Sequence, residues 1–125
     1  MNDLSYSVRG AIFEVFKELG PGLLESVYEA ALMYELSEMG CSVQCQVSLP
    51  VYYKSIRLDV GFRIDLLVND AIIIELKSVE ALHDVHKKQL LTYLKLADKK
   101  VGFLVNFNAS FLTDKESIIR IVNNY

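Results

Sequence analysis

Cysteine is scarce in this sequence: Cys41 and Cys45 are the only two in 125 residues. Two thiols so close together make no disulfide framework, and with no second Cys or His pair nearby they make no zinc site either. They read as small, buried or half-buried thiols of a reducing compartment. An excess of positive charge is lacking too. The 13 Lys and Arg residues against 16 Asp and Glu leave a formal net charge of -3. The footprint of a strongly basic nucleic-acid binder is absent, so any role on DNA or RNA must rest on local chemistry. Long apolar runs are missing as well. Ala71-Ile72-Ile73-Ile74 stops at Glu75, far short of a membrane span, and Met1-Asn2-Asp3-Leu4-Ser5 lacks the apolar stretch of a signal peptide. No linker, repeat or low-complexity segment interrupts the chain. These absences predict a cytoplasmic protein with no membrane association.

What is present suits a compact fold. A composition of 52% hydrophobic and 23% charged residues excludes a disordered chain. Residues 1–125 are the size of one domain. Such a domain buries roughly two-thirds of its unfolded surface and needs no disulfide or metal to hold it together.

Leu4, Val8, Ile12, Val15, Phe16 and Leu19 recur at helical spacing until Gly20-Pro21-Gly22 breaks the pattern. A second helix is expected from about Leu23 to Met39, with Val27, Ala31, Leu32 and Leu36 on its inner side and Gly40 as its stop. The texture then turns to Val, Tyr and Ile, predicting strands near Val43–Val51, Ile56–Val68 and Ile72–Lys77. Pro50 must sit at an edge or strand end, because it cannot donate to a ladder. Glu80–Ala97 returns to helical spacing and Val101–Phe107 is a short strand, while the tail from Asp114 fits either a last helix or an edge strand. Closely following strands pair antiparallel, and the helix between the third and fourth places those two in parallel. The expectation is an α/β domain with a mixed central sheet flanked by helices.

The informative residues are charges standing where the pattern asks for hydrophobes. Asp65 lies in Arg63-Ile64-Asp65-Leu66-Leu67-Val68, and Glu75 and Lys77 close Ile72-Ile73-Ile74-Glu75-Leu76-Lys77. Strand side chains alternate, so Glu75 and Lys77 point to one face. An isolated buried carboxylate is costly unless paired or metal-bound. One reading makes Glu75 half of a partly exposed ion pair with Lys77 or Arg63; the other has Asp65 and Glu75 share a hard divalent cation. The second reading carries a constraint. A two-residue Asn69-Asp70 turn pairing Val68 with Ala71 would put the two acids on opposite faces, so a three-residue connection or a bulge near residues 68–71 is required. On the next helix His86, Gln89 and Tyr93 share a face, which is either a solvated flank or a wall of the same site; His86, beside Lys87 and Lys88, reads more simply as a surface residue. Glu25 and Glu29 stand one turn apart near the start of the second helix, where acids also favour the helix dipole.

Asp65, then Glu75-Leu76-Lys77, then Gln89-Leu90-Leu91-Thr92-Tyr93 resembles the D…E-x-K…Q-x-x-x-Y signature of PD-(D/E)XK nucleases, especially their RecB-type branch. Gly22-Leu23-Leu24-Glu25-Ser26-Val27-Tyr28 resembles the motif that names the GxxExxY family of small bacterial and archaeal proteins, and Leu90–Leu96 and Gly102-Phe103-Leu104-Val105-Asn106-Phe107 are also similar to it. The resemblance runs from about Val8 to Val122. It implies a restriction-endonuclease-like αβββαβ core and a magnesium-dependent nuclease, with manganese as a substitute ion, acting on DNA before RNA. It implies that Asp65 and Glu75 hold the ion with the Leu76 carbonyl, and that Glu25, or failing it Glu29, completes the set. Lys77 would position the attacking water and steady charge on phosphorus, while Gln89 and Tyr93 orient the lysine, the water or the nucleic-acid backbone. The alternative is a catalytically silent module of the same fold that binds nucleic acid or a protein. Scattered basic residues (Lys54, Arg57, Arg63, Lys87, Lys88, Lys95, Lys99, Lys100) give a monomer weak, salt-sensitive binding, which a homodimer would strengthen.

Overall fold

The computed structural model describes residues 2–124, apart from the side chains of 59 and 60; Met1 and Tyr125 lie outside the described residues. Two helices come first, α1 (Asn2–Leu19) and α2 (Glu25–Glu38), followed by strands β1 (Val43–Tyr53), β2 (Ile56–Val68) and β3 (Ile72–Lys77). Helix α3 (Asp84–Ala97), β4 (Val101–Asn106) and β5 (Ile118–Val122) complete the chain. The five strands form one sheet in the order β1-β2-β3-β4-β5. Neighbours run antiparallel except β3 and β4, which are parallel across the α3 crossover. The tail is thus an edge strand and not a helix. Among the described residues no helix is long and apolar enough to cross a membrane.

Helices α1 and α2 cover one face of the sheet. Val8, Ala11, Ile12 and Val15 of α1 and Tyr28, Leu32 and Leu36 of α2 pack on Leu66, Ile74, Phe103 and Val105. Helix α3 covers the other face with Leu90, Tyr93 and Leu94 against Ile64, Leu67, Ile73 and Leu104. With helices on both sides, β3 and β4 are apolar at successive positions and almost wholly buried, as central strands of a doubly covered sheet must be.

Four sequence expectations are corrected. Val27 is exposed and Tyr28 takes its place inside, because the inner stripe of α2 runs through Tyr28, Leu32 and Leu36 at four-residue spacing. Helix α3 begins at Asp84 and not near Glu80; His83 caps it, its carbonyl accepting the His86 N–H at 3.0 Å while its own N–H goes to His86 Nδ1 at 2.9 Å. Strand β1 runs on to Tyr53. Cys45 is exposed, with only Cys41 half-buried, and both are free, because β1 is an edge strand with little covering it. Pro50 lies on that edge, where the β1–β2 register shifts between Leu49 and Val51.

Candidate active site

The β2–β3 connection decides whether the two acids meet. Asn69 and Asp70 both have positive φ, 51° and 52°, a conformation that their short polar side chains tolerate better than most. The Ala71 N–H closes the turn on the Val68 carbonyl at 3.0 Å, yet Ala71 stays out of the ladder. Pairing therefore starts at Val68 with Ile72 and continues through Leu67 with Ile73 and Leu66 with Ile74. The next opposed positions are Asp65 and Glu75. Ala71 is the extra residue that the shared-face reading requires.

At that position the ladder stops and the carboxylates take its place. The Asp65 N–H donates to Glu75 Oε2 at 2.8 Å, and the Leu76 N–H donates to Asp65 Oδ2 at 2.8 Å. Each acid is held by the main chain of the opposite strand. Glu75, only 3% exposed, survives in an apolar sheet because a backbone donor satisfies its carboxyl oxygen; that donor favours the charged form, and burial opposes it. Burial wins. Together with the nearby Asp65 carboxylate it raises Glu75 from 4.5 to about 8, against the opposing pull of the Asp65 N–H and Lys77. The partly exposed ion-pair reading of Glu75 does not fit a side chain so enclosed.

Lys77, two residues on and on the same face, places Nζ 3.3 Å from Gln89 Oε1 of α3. Tyr93, one turn further along α3, is buried, and its ring meets Phe62 of β2 edge-on at 5.7 Å between centroids. Burial, then Glu75 and Asp65, push its hydroxyl pKa up, so it keeps its proton as a donor. His86 is half-buried beside these groups; burial first, then Lys77 and His83, lower its pKa.

Glu25 reaches the same end of the sheet by a different route. Gly20, at φ +67°, ends α1 with its N–H on the Phe16 carbonyl. Buried Tyr28 then ties down the connection, its hydroxyl donating to the Gly20 carbonyl at 2.6 Å and accepting the Leu23 N–H at 3.1 Å. The Tyr28 ring stacks on Phe107 at 4.2 Å. This staple launches α2 so that Glu25 Oε2 accepts the Ser78 N–H at 2.9 Å, just past Lys77. Glu29 accepts from Gln46 Nε2 at 2.8 Å, and the same Nε2 lies 3.4 Å from Asp65 Oδ1.

The structure thus brings Asp65, Glu75, Lys77, Gln89 and Tyr93 together. Among the described residues, however, no three of His, Cys, Asp and Glu are grouped to hold a metal ion. Glu25 stands at the rim, occupied by Ser78, and Glu29 is one bridging amide away from Asp65. The pair Asp65–Glu75 still fits a hard divalent cation, being two oxygen donors close enough together that one is pushed toward neutrality.

Three contributors escape sequence reasoning. Gln46 sits on β1 at φ +51°, a backbone kink that nothing in Val43–Tyr53 signals. Ser78 contributes its N–H, which has no sequence signature. Asn106 is the exception: a buried polar residue closing an apolar strand, it holds Val79 with Oδ1 on the N–H at 3.1 Å and Nδ2 on the carbonyl at 2.9 Å. It thereby anchors the loop behind Lys77.

Compared with known proteins, residues 2–121 match the model of one family, described as the PD-(D/E)XK nuclease superfamily. No curated protein and no solved structure matches the chain.

Proposed function

The chain belongs to the PD-(D/E)XK nuclease superfamily, its mixed sheet between helices being the restriction-endonuclease-like α/β fold, and on that premise we propose that it is a magnesium-dependent nuclease of the GxxExxY kind that hydrolyses phosphodiester bonds of DNA in the cytoplasm. The observation that carries this reading is the replacement of the β2–β3 ladder by the mutually held carboxylates of Asp65 and Glu75, with the Lys77–Gln89 pair alongside.

Asp65, Glu75 and the Leu76 carbonyl would hold the ion, with Glu25 at the rim. Magnesium supplies Lewis-acid polarisation of a phosphoryl oxygen and neutralises part of the charge there. Everything else falls to the chain. Hydrolysis joins a water oxygen to phosphorus and breaks the bond to the leaving oxygen, so negative charge grows on the phosphoryl and leaving oxygens. Lys77, steadied by Gln89, presents its ammonium to that charge and to the attacking water. Because the groups are already oriented, little reorganisation is needed as the charge develops. The Tyr93 hydroxyl, held protonated, donates a hydrogen bond to the phosphate.

The test is cleavage of single- and double-stranded DNA, with RNA in parallel, in magnesium and in EDTA. Lys77→Ala and Glu75→Ala should each lose roughly a hundredfold or more, manganese should substitute for magnesium, and EDTA should abolish turnover. Equal background in every lane refutes the catalytic reading. Tight nucleic-acid binding without cleavage would instead establish the silent module.

A further inference from the structure

Strand β2 is longer than its partner β3. Beyond Leu66 it pairs only with β1, so residues from Val47 to Arg63 run past the sheet as a two-stranded arm. Its base is secured where Leu49 and Ile64 pack with the α3 cluster. Its described outer residues are largely exposed. Tyr52 and Tyr53 are 61% and 60% exposed and Ile56 is 61% exposed, an unusual display for a hairpin that needs buried apolar area to hold together. Lys54, in the turn, lies over the Tyr53 ring at 5.5 Å from its centroid, and Tyr52 is opposed by Arg57 across the strands. The arm carries Lys54, Arg57 and Arg63 against the single acid Asp59, inverting the charge balance of a chain that is negative overall.

Resting on the nuclease reading above, we infer that the β1–β2 arm grips single-stranded nucleic acid wrapped around its tip, stacking bases on Tyr52 on one face and on Tyr53 on the other and drawing in the backbone with Lys54, Arg57 and Arg63. Exposed aromatic rings interleaved with cations suit unpaired bases, whose faces a duplex hides. Stacking also suits a chain of negative net charge, because it needs fewer phosphate contacts than duplex binding does. The arm leads to the site. Phe62 at its base touches Tyr93, and Arg63 lies two residues before Asp65. At the strand rise, residues 57 to 65 span about 26 Å, so a strand held on the arm runs several nucleotides into the carboxylates. A second copy of the chain is disfavoured as occupant, since its arm repeats the same positive charges.

The experiment measures fluorescence anisotropy of a labelled single-stranded DNA, and of its duplex, with the full chain in EDTA. Single strands should bind more tightly than the duplex. Tyr52→Ala with Tyr53→Ala should weaken single-strand binding by about a hundredfold, tenfold per ring. The Phe pair should retain it, and that comparison serves should the Ala pair fail to fold. Unchanged affinity in the Ala pair, or tighter binding of the duplex, overturns the inference. So does a wild-type dimer that the Ala pair dissolves, which would assign the arm to a second copy. Hydrolysis of bis(p-nitrophenyl) phosphate by the wild-type chain with magnesium tests the catalytic reading separately, since that ester is too small to reach the arm.

Discussion

Removing the charge at position 75 should stabilise the metal-free protein. The Glu75 carboxyl titrates near 4.5 when unfolded and at about 8 when folded, so between those values the folded state binds the extra proton. Stability must then fall as pH rises through this window, the opposite of the usual salt-bridged acid. The shift is about 3.5 units at about 1.4 kcal/mol each, or roughly 5 kcal/mol lost by pH 9. At pH 7 some 2.5 units of the window have been crossed, a loss of about 3 kcal/mol. Glu75→Gln avoids that loss, because its amide oxygen can still accept the Asp65 N–H while its NH2 faces the Asp65 carboxylate. In EDTA the variant should match wild type near pH 5 and exceed it by about 3 kcal/mol at pH 7, on the order of 10 °C in midpoint. The chain has no tryptophan, so urea unfolding followed by circular dichroism is the natural assay. Magnesium should reverse the order, since binding the ion releases the proton in wild type and has less to hold in the variant. A wild-type stability that is flat from pH 5 to 8, or a variant less stable than wild type at pH 7 in EDTA, would refute the reasoning.

Other consequences can be measured on the same instruments. Tyr28→Phe keeps the stack on Phe107 but strands the Gly20 carbonyl and the Leu23 N–H, which should cost about 1–3 kcal/mol in urea unfolding. Gly102→Ala brings a methyl to 2.9 Å from Leu90 Cδ1, and since Leu90 is fully buried the overpacking should cost about 1–2 kcal/mol, with Leu90→Val recovering part of it in a double-mutant cycle. Asp98→Gly, at the left-handed end of α3 with φ 56° and ψ 49°, should raise stability by about 0.5–1 kcal/mol. Asn106→Ala should slow DNA cleavage more than it weakens DNA binding, because the loop it anchors follows Lys77 and not the arm.

Periodicity alone located seven of the elements, because helices and strands here sort apolar residues by face at spacings that the chain cannot disguise. It failed where local pattern and packing compete. The Leu23–Met39 spacing puts Val27 on the inner side, and only the stack on Phe107 and the staple to Gly20 put Tyr28 there instead. The last segment, Ile118–Val122, is too short to choose between helix and strand by itself; pairing with β4 makes the choice.

The candidate site divides in the same way. That Asp65, Glu75 and Lys77 are candidates was readable from their charge among hydrophobes, since burying charge is too costly to occur at random positions. Whether the two acids share a face hung on one residue of hairpin register, which Asn69, Asp70 and Ala71 settle only through their backbone angles and the pairing of Val68 with Ile72. The contacts of Gln46, Ser78 and Glu25 join segments far apart in the chain. Such contacts carry no linear signal, because a backbone N–H can be offered by any residue other than proline, and only the folded sheet determines which carboxylate receives it.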